Sequence, residues 1–510
     1  MWNIQRIFFV GYRYFETVPG KKERVVYPFG YGLSYTTFDI SEIHASQMGK
    51  KIVVSATVTN TGNRKGKEVV QVYYSAPKGK ITKPAIELCA FKKTSLLEPG
   101  DSETLLMSFD ISSMASYDDI GIIEKSAYVL EKGEYSILVG NSVRNLKETD
   151  YKYVVSEDTI AEKLTAYCTP EKLTKRLCAD GTYADVNPRK AEVHTFLFED
   201  VSAAKVPDED NRKMLIDVVN GEITLDEFIS QLTEEEMLHL LRGHRAGPQE
   251  VSVSNTGGYG DFEKYGVPFI ISADGPAGLR SIPEKAVYTT AFPVATMIAC
   301  TWNTDISEAI GKAEALEVRE NNLFVFLAPA LNIHRSPLCG RNFEYFSEDP
   351  LVAGKMAAAN IIGIQSEGVA ATPKHFACNN KETNRARSDS RLSERALREI
   401  YIKGFEICVK EAKPKAIMTS YNLINGIYAS ENAELLTGIL RNEWGYKGLV
   451  MTDWGNLASH KKELLAGNDV RMPYSAGTDI DEALKTGEIT RKELYASVKR
   501  VLEFIMWFDN

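Results

Sequence analysis

The 510-residue sequence has little that would mark a disulfide-rich or metal-binding protein. Its seven cysteines are scattered, odd in number and never arranged as Cys-x-x-Cys, which indicates reduced thiols rather than disulfides or a zinc site. The seven histidines include no pair four residues apart, so a helical pair of histidine ligands is missing. We therefore expect no metal and no other cofactor.

Long apolar runs and an excess of basic residues are lacking too. No apolar stretch reaches the roughly 18 residues of a membrane span, and the formal net charge is −9. The apolar patch at residues 7–10 is interrupted by Gly11 before a signal-peptide core could form. These absences argue against nucleic-acid and membrane partners, and together with the reduced thiols they favour a cytoplasmic protein.

Phosphate-binding motifs are also missing. The pattern GxxxxGK[ST] does not occur, and no GxGxxG follows the first strand of the second half. The glycine-rich loop at residues 257–260 precedes a strand instead of opening a helix. The sequence therefore predicts no nucleotide or phosphate site.

The first region that the sequence does define is a β-rich segment at residues 27–147. Alternation of apolar and polar residues from Ile52 to Thr59 is followed by the turn signal Asn60-Thr61-Gly62-Asn63, and similar short segments recur. This pattern is typical of a β-sandwich of immunoglobulin-like architecture. Because the segment has no tryptophan and only Cys89, an antibody-type core is excluded, and a fibronectin type III-like packing is predicted.

The rest of the chain divides into a connector and a larger domain. Residues 148–210 are charged and weakly periodic, and we expect a helical connector there. Residues 211–510 alternate apolar strand-like runs with helix-like segments, and Thr224 and Thr233 begin Thr-x-x-Glu capping boxes. The runs are 267–271, 323–327, 369–372, 416–419 and 448–451; the helical segments include 306–321, 392–411 and 433–444. This alternation predicts a (β/α)8 barrel of the TIM type.

Polar or aromatic residues follow each of the five strand-like runs. They are, in order, Asp274, the pair Asn332 and His334, the pair Lys374 and His375, the pair Tyr421 and Asn422, and the pair Asp453 and Trp454. Because the carboxyl ends of barrel strands meet at one face, we predict that these side chains line one cleft. Asp453 directly follows a buried strand and is the candidate reacting group.

Each of these residues also has a structural interpretation. Asp274 could only close a turn, Lys374 and His375 could be a surface pair, and Arg341 could simply pair with Glu344 or Glu348. Tyr421 and Trp454 could pack the rim of the barrel. Because such residues follow all five strand-like runs, a ligand site is favoured. Carboxylates bind hydroxyls and aromatic faces stack on sugar rings, so we expect the ligand to be a carbohydrate.

Several motifs resemble those of the glycoside hydrolase family 3 β-glucosidases. The segment from Leu440 to Trp454 is similar to the nucleophile signature, which implies that Asp453 forms a glycosyl-enzyme. The resemblance implies a sugar clamp carried by five further motifs or residues. They are Asp274 in Asp-Gly-Pro, Arg341 in Gly-Arg-Asn-Phe-Glu, Lys374 and His375 in Lys-His-Phe, Tyr421 in Ser-Tyr-Asn, and Trp454. Residues 28–35 resemble the entry into the family's fibronectin type III-like domain.

The domain order departs from that of most family members. The fibronectin-like domain precedes the barrel here, as in a permuted subset, and residues 1–26 resemble only a remnant of an upstream α/β-sandwich domain. In the β-glucosidase branch the acid/base glutamate lies on that sandwich domain, so no residue here matches it. The N-acetylglucosaminidase branch uses an Asp-His pair after Lys-His-Phe instead, but residues 377–391 contain no histidine.

The resemblance implies a retaining enzyme that releases terminal non-reducing β-D-glucosyl residues and is incomplete without the sandwich domain. We expect that domain in a partner chain or in an upstream segment, and only slow hydrolysis of activated aryl glucosides by this chain alone. If the chain acts alone, the candidates for the general acid/base are Glu344, Glu348 and Glu382. The alternatives are a β-xylosidase or other exo-β-glycosidase of the family, a non-catalytic sugar-binding fragment, or a structural module.

Overall fold

The structure is a computed structural model that describes residues 2–6, 8–186, 194–244, 254, 256–282, 287–473 and 478–509. The first strand, β1 (Trp2–Arg6), pairs in parallel with residues Ser388–Leu392 of the C-terminal half. Helix α1 (Tyr12–Phe15) and a 3-10 turn at Lys22–Arg24 follow. The N-terminal segment is thus attached to the larger domain of the molecule.

The second region is a sandwich of antiparallel sheets. Its strands are β2 (Phe38–Met48), β3 (Lys51–Asn60), β4 (Val69–Ser75), β5 (Glu87–Lys93), β6 (Ser102–Asp110), β7 (Ser116–Asp118), β8 (Ala127–Leu130), β9 (Gly133–Ser142), β10 (Asn145–Val155) and β11 (Thr159–Lys163). The sheet β2-β3-β6 and the sheet β10-β9-β4-β5 share one core, and β11-β8-β7 forms a third sheet. Alternate residues of β3, from Ile52 to Val58, point into that core, as the sequence pattern predicts.

The prediction of a helical connector at residues 148–210 is wrong. Strand β10 crosses the expected boundary at residues 147–148, and β12 (Lys175–Leu177) pairs with β13 (Tyr183–Asp185) in an antiparallel hairpin. Among the described residues of 148–210, the helical structure is a 3-10 turn at Glu209–Asn211. All five residues of β11 are exposed, and such charged edge strands carry little of the apolar alternation by which a strand is recognised. Residues 187–193 of the connector lie outside the described residues.

The larger domain alternates helices and short buried strands. Its strands are β14 (Gly258–Phe262), β15 (Val267–Asp274), β16 (Val325–Leu327), β17 (Ala370–Ala371), β18 (Lys374–Phe376), β19 (Ser388–Leu392), β20 (Ala416–Thr419), β21 (Leu423–Ile424), β22 (Ile427–Tyr428) and β23 (Leu449–Met451). Its α-helices are α2 (Leu215–Val219), α3 (Leu225–Ser230), α4 (Glu234–Leu240), α5 (Ala295–Cys300), α6 (Thr304–Glu320), α7 (Pro350–Ser366), α8 (Glu394–Ala396), α9 (Lys403–Ile407), α10 (His460–Ala466), α11 (Asp479–Thr486) and α12 (Arg491–Met506). Residues Leu397–Tyr401, Cys408–Ala412 and Glu434–Glu443 form π-helical turns.

Local signals account for many of these elements. The five predicted strand runs coincide with β15, β16, β17, β20 and β23. Thr224 and Thr233 cap α3 and α4, each accepting a hydrogen bond from the amide of the glutamate three residues later. Helix α7 begins at Pro350, and the Asp349 carboxylate caps it by accepting hydrogen bonds from two backbone amides at 2.8 and 3.0 Å.

The strands of the larger domain form separate sheets rather than one continuous parallel sheet within the described residues. One sheet has the order β14-β15-β16-β17, another β18-β20-β23, and a third β1-β19-β21-β22. Strand β14 is antiparallel to β15, which departs from the all-parallel barrel that we expected. Single bridges connect the sheet edges, between residues 330 and 374, 451 and 470, 242 and 471, and 244 and 258.

The N-terminal segment joins the two folded regions through buried charges. Arg13 forms ion pairs with Glu87 of β5 at 3.1 Å and with Asp349 at the start of α7 at 2.7 Å. The Tyr12 hydroxyl also donates to Asp349, at 2.9 Å. No helix in the part of the chain that the structure describes has the length and apolar character needed to cross a membrane.

Candidate active site

A cavity of about 730 Å³ opens where the strands of the larger domain end. Asp274 is the last residue of β15, Leu327 the last of β16, and Asp453 lies two residues beyond β23. The cavity is lined by Thr256, residues 274–280, Thr289, Thr290, Ala291, Leu327, Arg341, Phe343, Glu344, Lys374, His375, Arg385, Met418, Asp453 and Trp454. Of the seven residues of the predicted nucleophile and sugar clamp, all but Tyr421 therefore line one cavity. The other three residues predicted to line it, Asn332, His334 and Asn422, are not part of its lining.

Asp453 is a buried carboxylate with one oxygen held and one without a hydrogen bond. Its Oδ1 accepts the Trp454 backbone amide at 2.7 Å, whereas Oδ2 has no hydrogen-bond partner among the described residues. His375 Nε2 is 3.5 Å from that Oδ2. Burial raises the pKa of Asp453, and the positive charge of Arg341 opposes the rise. The charge on this carboxylate is thus set by competition between desolvation and a nearby guanidinium.

Asp274 is part of an ion pair on the cavity floor. Lys374 Nζ lies 2.7 Å from Asp274 Oδ1, and an arginine that sequence reasoning did not select, Arg280, lies 3.5 Å from Oδ2. Burial alone would raise the pKa of Asp274, but Lys374 and its hydrogen bond lower it overall. Asp274 therefore stays ionised at neutral pH and can accept hydrogen bonds from ligand hydroxyls.

His375 is buried and neutral. Burial, followed by the charges of Arg341 and Lys374, lowers its pKa well below the ordinary value. Its backbone amide donates to Asn332 Oδ1 at 2.9 Å, and Asn332 Nδ2 donates to the His375 carbonyl at 2.9 Å. The Asn332 side chain, which also follows a predicted strand, thus fixes the backbone that carries the Lys374–His375 pair.

The sequence allowed Arg341 to be either a ligand-binding residue or the ion-pair partner of a nearby glutamate, and its position in the structure fits both. It forms an ion pair with Glu344, and both side chains also line the cavity. The second possible partner, Glu348, instead accepts the backbone amide of Tyr12 at 2.8 Å and does not line the cavity. Arg341 is therefore a paired cation that faces the ligand space.

The two predicted aromatics are coupled by a hydrogen bond. The Tyr421 hydroxyl donates to the Trp454 carbonyl at 2.6 Å, and the Trp454 indole nitrogen donates to the carbonyl of Thr256 at 3.0 Å. The Arg385 guanidinium lies over the Tyr421 ring, 4.4 Å from its centroid. Burial, followed by the charge of the nearby Asp453 carboxylate, raises the pKa of the Tyr421 hydroxyl. Tyr421 thus contacts Trp454 and Arg385 and interacts with Asp453, although it does not line the cavity.

Sequence reasoning missed several residues of the cavity wall, including Arg280, Phe343 and Arg385. Arg280 is in the same loop as Asp274, and Arg385 is in the long loop after β18. Counting charged residues through the whole loop after each strand, instead of the first few positions, could have found both. Phe343 carries no such signal, because a phenylalanine in a sequence is more often part of the core than of a binding surface.

The other carboxylates near the cavity are each paired with a cation. Glu344 pairs with Arg341, and Asp274 with Lys374. Glu382 pairs with Arg385 at 2.9 Å and does not line the cavity. Within the residues that the structure describes, no group of three or more His, Cys, Asp or Glu side chains is placed to hold a metal ion.

Family models match both folded regions. The model described as "Glycosyl hydrolase family 3 N terminal domain" matches residues 252–504, and the model described as "Fibronectin type III-like domain" matches residues 68–143. These matches agree with the sandwich and with the domain that holds the cavity.

Similar proteins are longer than this chain. Beta-glucosidase A of Butyrivibrio fibrisolvens is 47% identical over 98% of this chain, and a beta-glucosidase of Ruminococcus albus is 41% identical over 98%. The chain spans 64% and 54% of the length of these two curated relatives. An Exo-alpha-(1->6)-L-arabinopyranosidase of Bifidobacterium longum is 43% identical over 48% of this chain and 33% of its own length.

A solved structure shares nearly the whole fold. The crystal structure of a beta-glucosidase from Paenibacillus barengoltzii superposes with a TM-score of 0.91 at 38% identity, covering 99% of this chain and 59% of that one. The sequence motifs, the cavity they form, the family model over residues 252–504 and these relatives agree, and the domain that holds the cavity is similar to members of glycosyl hydrolase family 3.

Proposed function

We propose that this chain carries the sugar site and the nucleophile of a retaining β-glucosidase. The observation that carries the proposal is Asp453, a buried carboxylate whose Oδ2 has no hydrogen bond in a cavity that also holds Asp274, Lys374 and Arg341. Relatives that are 47% and 41% identical are named beta-glucosidases, which supports the same activity. The function of the whole protein is proposed on these grounds.

In the proposed mechanism Asp453 attacks the anomeric carbon while the bond to the leaving oxygen breaks, giving a covalent glycosyl-enzyme. Arg341 keeps the nucleophile ionised against the effect of burial. Asp274 and Lys374, paired at 2.7 Å, bind sugar hydroxyls as acceptor and donor. The neutral imidazole of His375 offers a further polar contact, and the Trp454 ring provides an apolar face for the sugar.

The proton donor is the part of this mechanism that the cavity does not supply. A retaining glycosidase needs a second carboxyl group about 5–5.5 Å from the nucleophile. Because Asp274 and Glu344 are each paired with a cation, neither is poised to give a proton. We therefore propose that the acid/base belongs to a polypeptide segment other than the described residues, of the sandwich-domain kind that the family resemblance implies.

We also propose that the larger domain is a closed ring of eight segments, related to a (β/α)8 barrel. The ladder pairings and the single bridges join neighbouring segments all the way round. The segments are, in spatial order, β14, β15, β16, residues 370–376, β20, β23, residues 470–471 and residues 242–244. Such a ring would explain why five separate loops reach one cavity.

Covalent trapping tests the proposed function. We expect 2,4-dinitrophenyl 2-deoxy-2-fluoro-β-D-glucoside to label the chain at Asp453, since dinitrophenolate leaves as an anion and needs no acid. Peptide mass spectrometry locates the label, and Asp453→Asn should abolish it. Labelling of a different residue would contradict the assignment of Asp453 as the nucleophile, and binding of the probe with no covalent product would identify a non-catalytic sugar-binding protein instead.

A second candidate is another exo-glycosidase activity of the same family. The observation that favours it is the 43% identity to an exo-alpha-(1->6)-L-arabinopyranosidase over 48% of this chain. Inactivation rates with the 2-fluoro derivatives of glucose, xylose and arabinopyranose separate the two. A glucosyl preference of tenfold or more, about 1.4 kcal/mol of differential transition-state binding, supports the first candidate, and a pentosyl preference supports the second.

A further inference from the structure

Phe343 is an exposed aromatic side chain on the wall of the cavity. About 51% of its surface is accessible, whereas Lys374 and His375, which line the same cavity, are 3% and 1% exposed. Lys374 and His375 therefore lie deep, and the phenyl ring lies toward solvent. Single exposed apolar side chains are common on protein surfaces, but Phe343 differs from them because it lies on the wall of the cavity that holds Asp453.

The turn that carries Phe343 is fixed. The Thr296 hydroxyl lies 2.8 Å from the Asn342 carbonyl and 2.9 Å from the Tyr345 carbonyl. These two residues flank Phe343 in the sequence. His334 Nε2 contacts the same two carbonyls at 2.8 and 2.9 Å, and Asn342 Nδ2 donates to the Ser336 carbonyl at 2.7 Å. The exposed ring is thus presented by a rigid backbone, which reduces the entropic cost of stacking a ligand on it.

We propose that Phe343 is a specificity-determining residue that stacks against the leaving group of the substrate and selects β-glucosides with aromatic aglycones. This inference rests on the proposed function of the cavity. The polar floor suits the hydroxyl-rich sugar, and the phenyl ring at the mouth suits a flat apolar group leaving the anomeric carbon. Phe343 lines the same cavity as Asp453, so the sugar and an aglycone that contacts Phe343 can occupy one cavity.

Two inactivators with the same sugar and different leaving groups test the inference. One is 2,4-dinitrophenyl 2-deoxy-2-fluoro-β-D-glucoside; the other is 2-deoxy-2-fluoro-β-D-glucosyl fluoride, which has no aglycone ring. In both, the Asp453 carboxylate bonds to the anomeric carbon and the leaving group departs with the bonding pair. Phe343→Ala should lower kinact/KI about 3- to 10-fold for the dinitrophenyl compound, the range of one lost aromatic contact, and leave the fluoride unchanged.

Matched variants make the test specific. Phe343→Trp keeps an aromatic face and should retain the preference for the dinitrophenyl compound. Leu338→Ala removes an apolar side chain that is 92% exposed nearby but does not line the cavity, and it should change neither rate. Equal losses for both inactivators in Phe343→Ala, or no loss for either, would overturn the aglycone role alone. Failure of both compounds to label the parent chain would overturn that role together with the proposed function.

Discussion

At the scale of single residues, the reactivity of the cavity depends on the charge state of Asp453. Burial favours the protonated acid, and Arg341 favours the carboxylate. His375, 3.5 Å away, contributes no compensating charge because burial and the surrounding cations keep it neutral. Among the groups that oppose the rise in the pKa of Asp453, Arg341 therefore has the largest effect and favours the ionised form that the proposed attack requires.

Replacing Arg341 should shift the acidic limb of the pH dependence of covalent labelling to higher pH. In Arg341→Met the pKa of Asp453 rises further, so the carboxylate is protonated at a higher pH and covalent labelling is lost earlier as the pH falls. The measurement is kinact/KI for the dinitrophenyl fluoroglucoside between pH 4 and 8. Arg280→Met is the control, since Arg280 is 77% exposed and contacts Asp274, not Asp453. An unchanged acid limb in Arg341→Met would contradict this account of the Asp453 charge.

At the scale of secondary-structure elements, the contact between α6 and α7 contains a buried acid. The Glu314 carboxylate of α6 accepts a long hydrogen bond of 3.4 Å from Asn360 Nδ2 of α7. Burial raises the pKa of Glu314 to about 8. An unfolded glutamate ionises with a pKa near 4.5. Between these values the folded state holds one more proton than the unfolded state, so stability falls as the pH rises.

Glu314→Gln should remove this pH-dependent loss. The amide keeps the acceptor for Asn360 but cannot ionise, so the gain in stability over the parent should grow from pH 4.5 to pH 8 and then level off. The full gain is on the order of 3–5 kcal/mol by linkage. Thermal unfolding across that range measures it as a widening difference in Tm. Glu308→Gln, an exposed position of the same helix, should show no such trend, and a parallel trend there would refute the explanation.

At the scale of the whole molecule, Arg13 connects the sandwich to the larger domain. Its partners, Glu87 and Asp349, come from different domains, and its side chain is only 5% exposed. Removing one member of a buried ion pair leaves an uncompensated charge, which costs about 3–5 kcal/mol. The domain boundaries and the cytoplasmic location inferred from the sequence stay predictions.

Arg13→Met should therefore lower the stability of the molecule and loosen the coupling between its domains. We expect differential scanning calorimetry to show a lower first transition and a separation into two transitions. Arg24→Met, an exposed arginine of the same segment, is the control and should leave the profile unchanged. A variant with the thermal profile of the parent would show that the two domains are held together by other contacts.

Elements whose signal is local could be predicted from the sequence. The apolar runs at β15, β20 and β23 are short-range patterns, and so are the capping boxes at Thr224 and Thr233. The prediction of a helical connector failed because β10 is only partly buried and every residue of β11 is exposed, so that their pairing with β9 and β8 rests mainly on backbone hydrogen bonds. Backbone pairing of that kind leaves little trace in residue type.

The sequence by itself determined the resemblance to family 3 and the positions of five buried strands, because motifs and apolar runs are local patterns. The tertiary structure decided which charges pair and which groups stay neutral. Lys374 meets Asp274 across 100 positions of sequence, and His375 is neutral only because it is buried among cations. Desolvation and Coulomb energy depend on distance through space and on burial, neither of which the order of residues specifies.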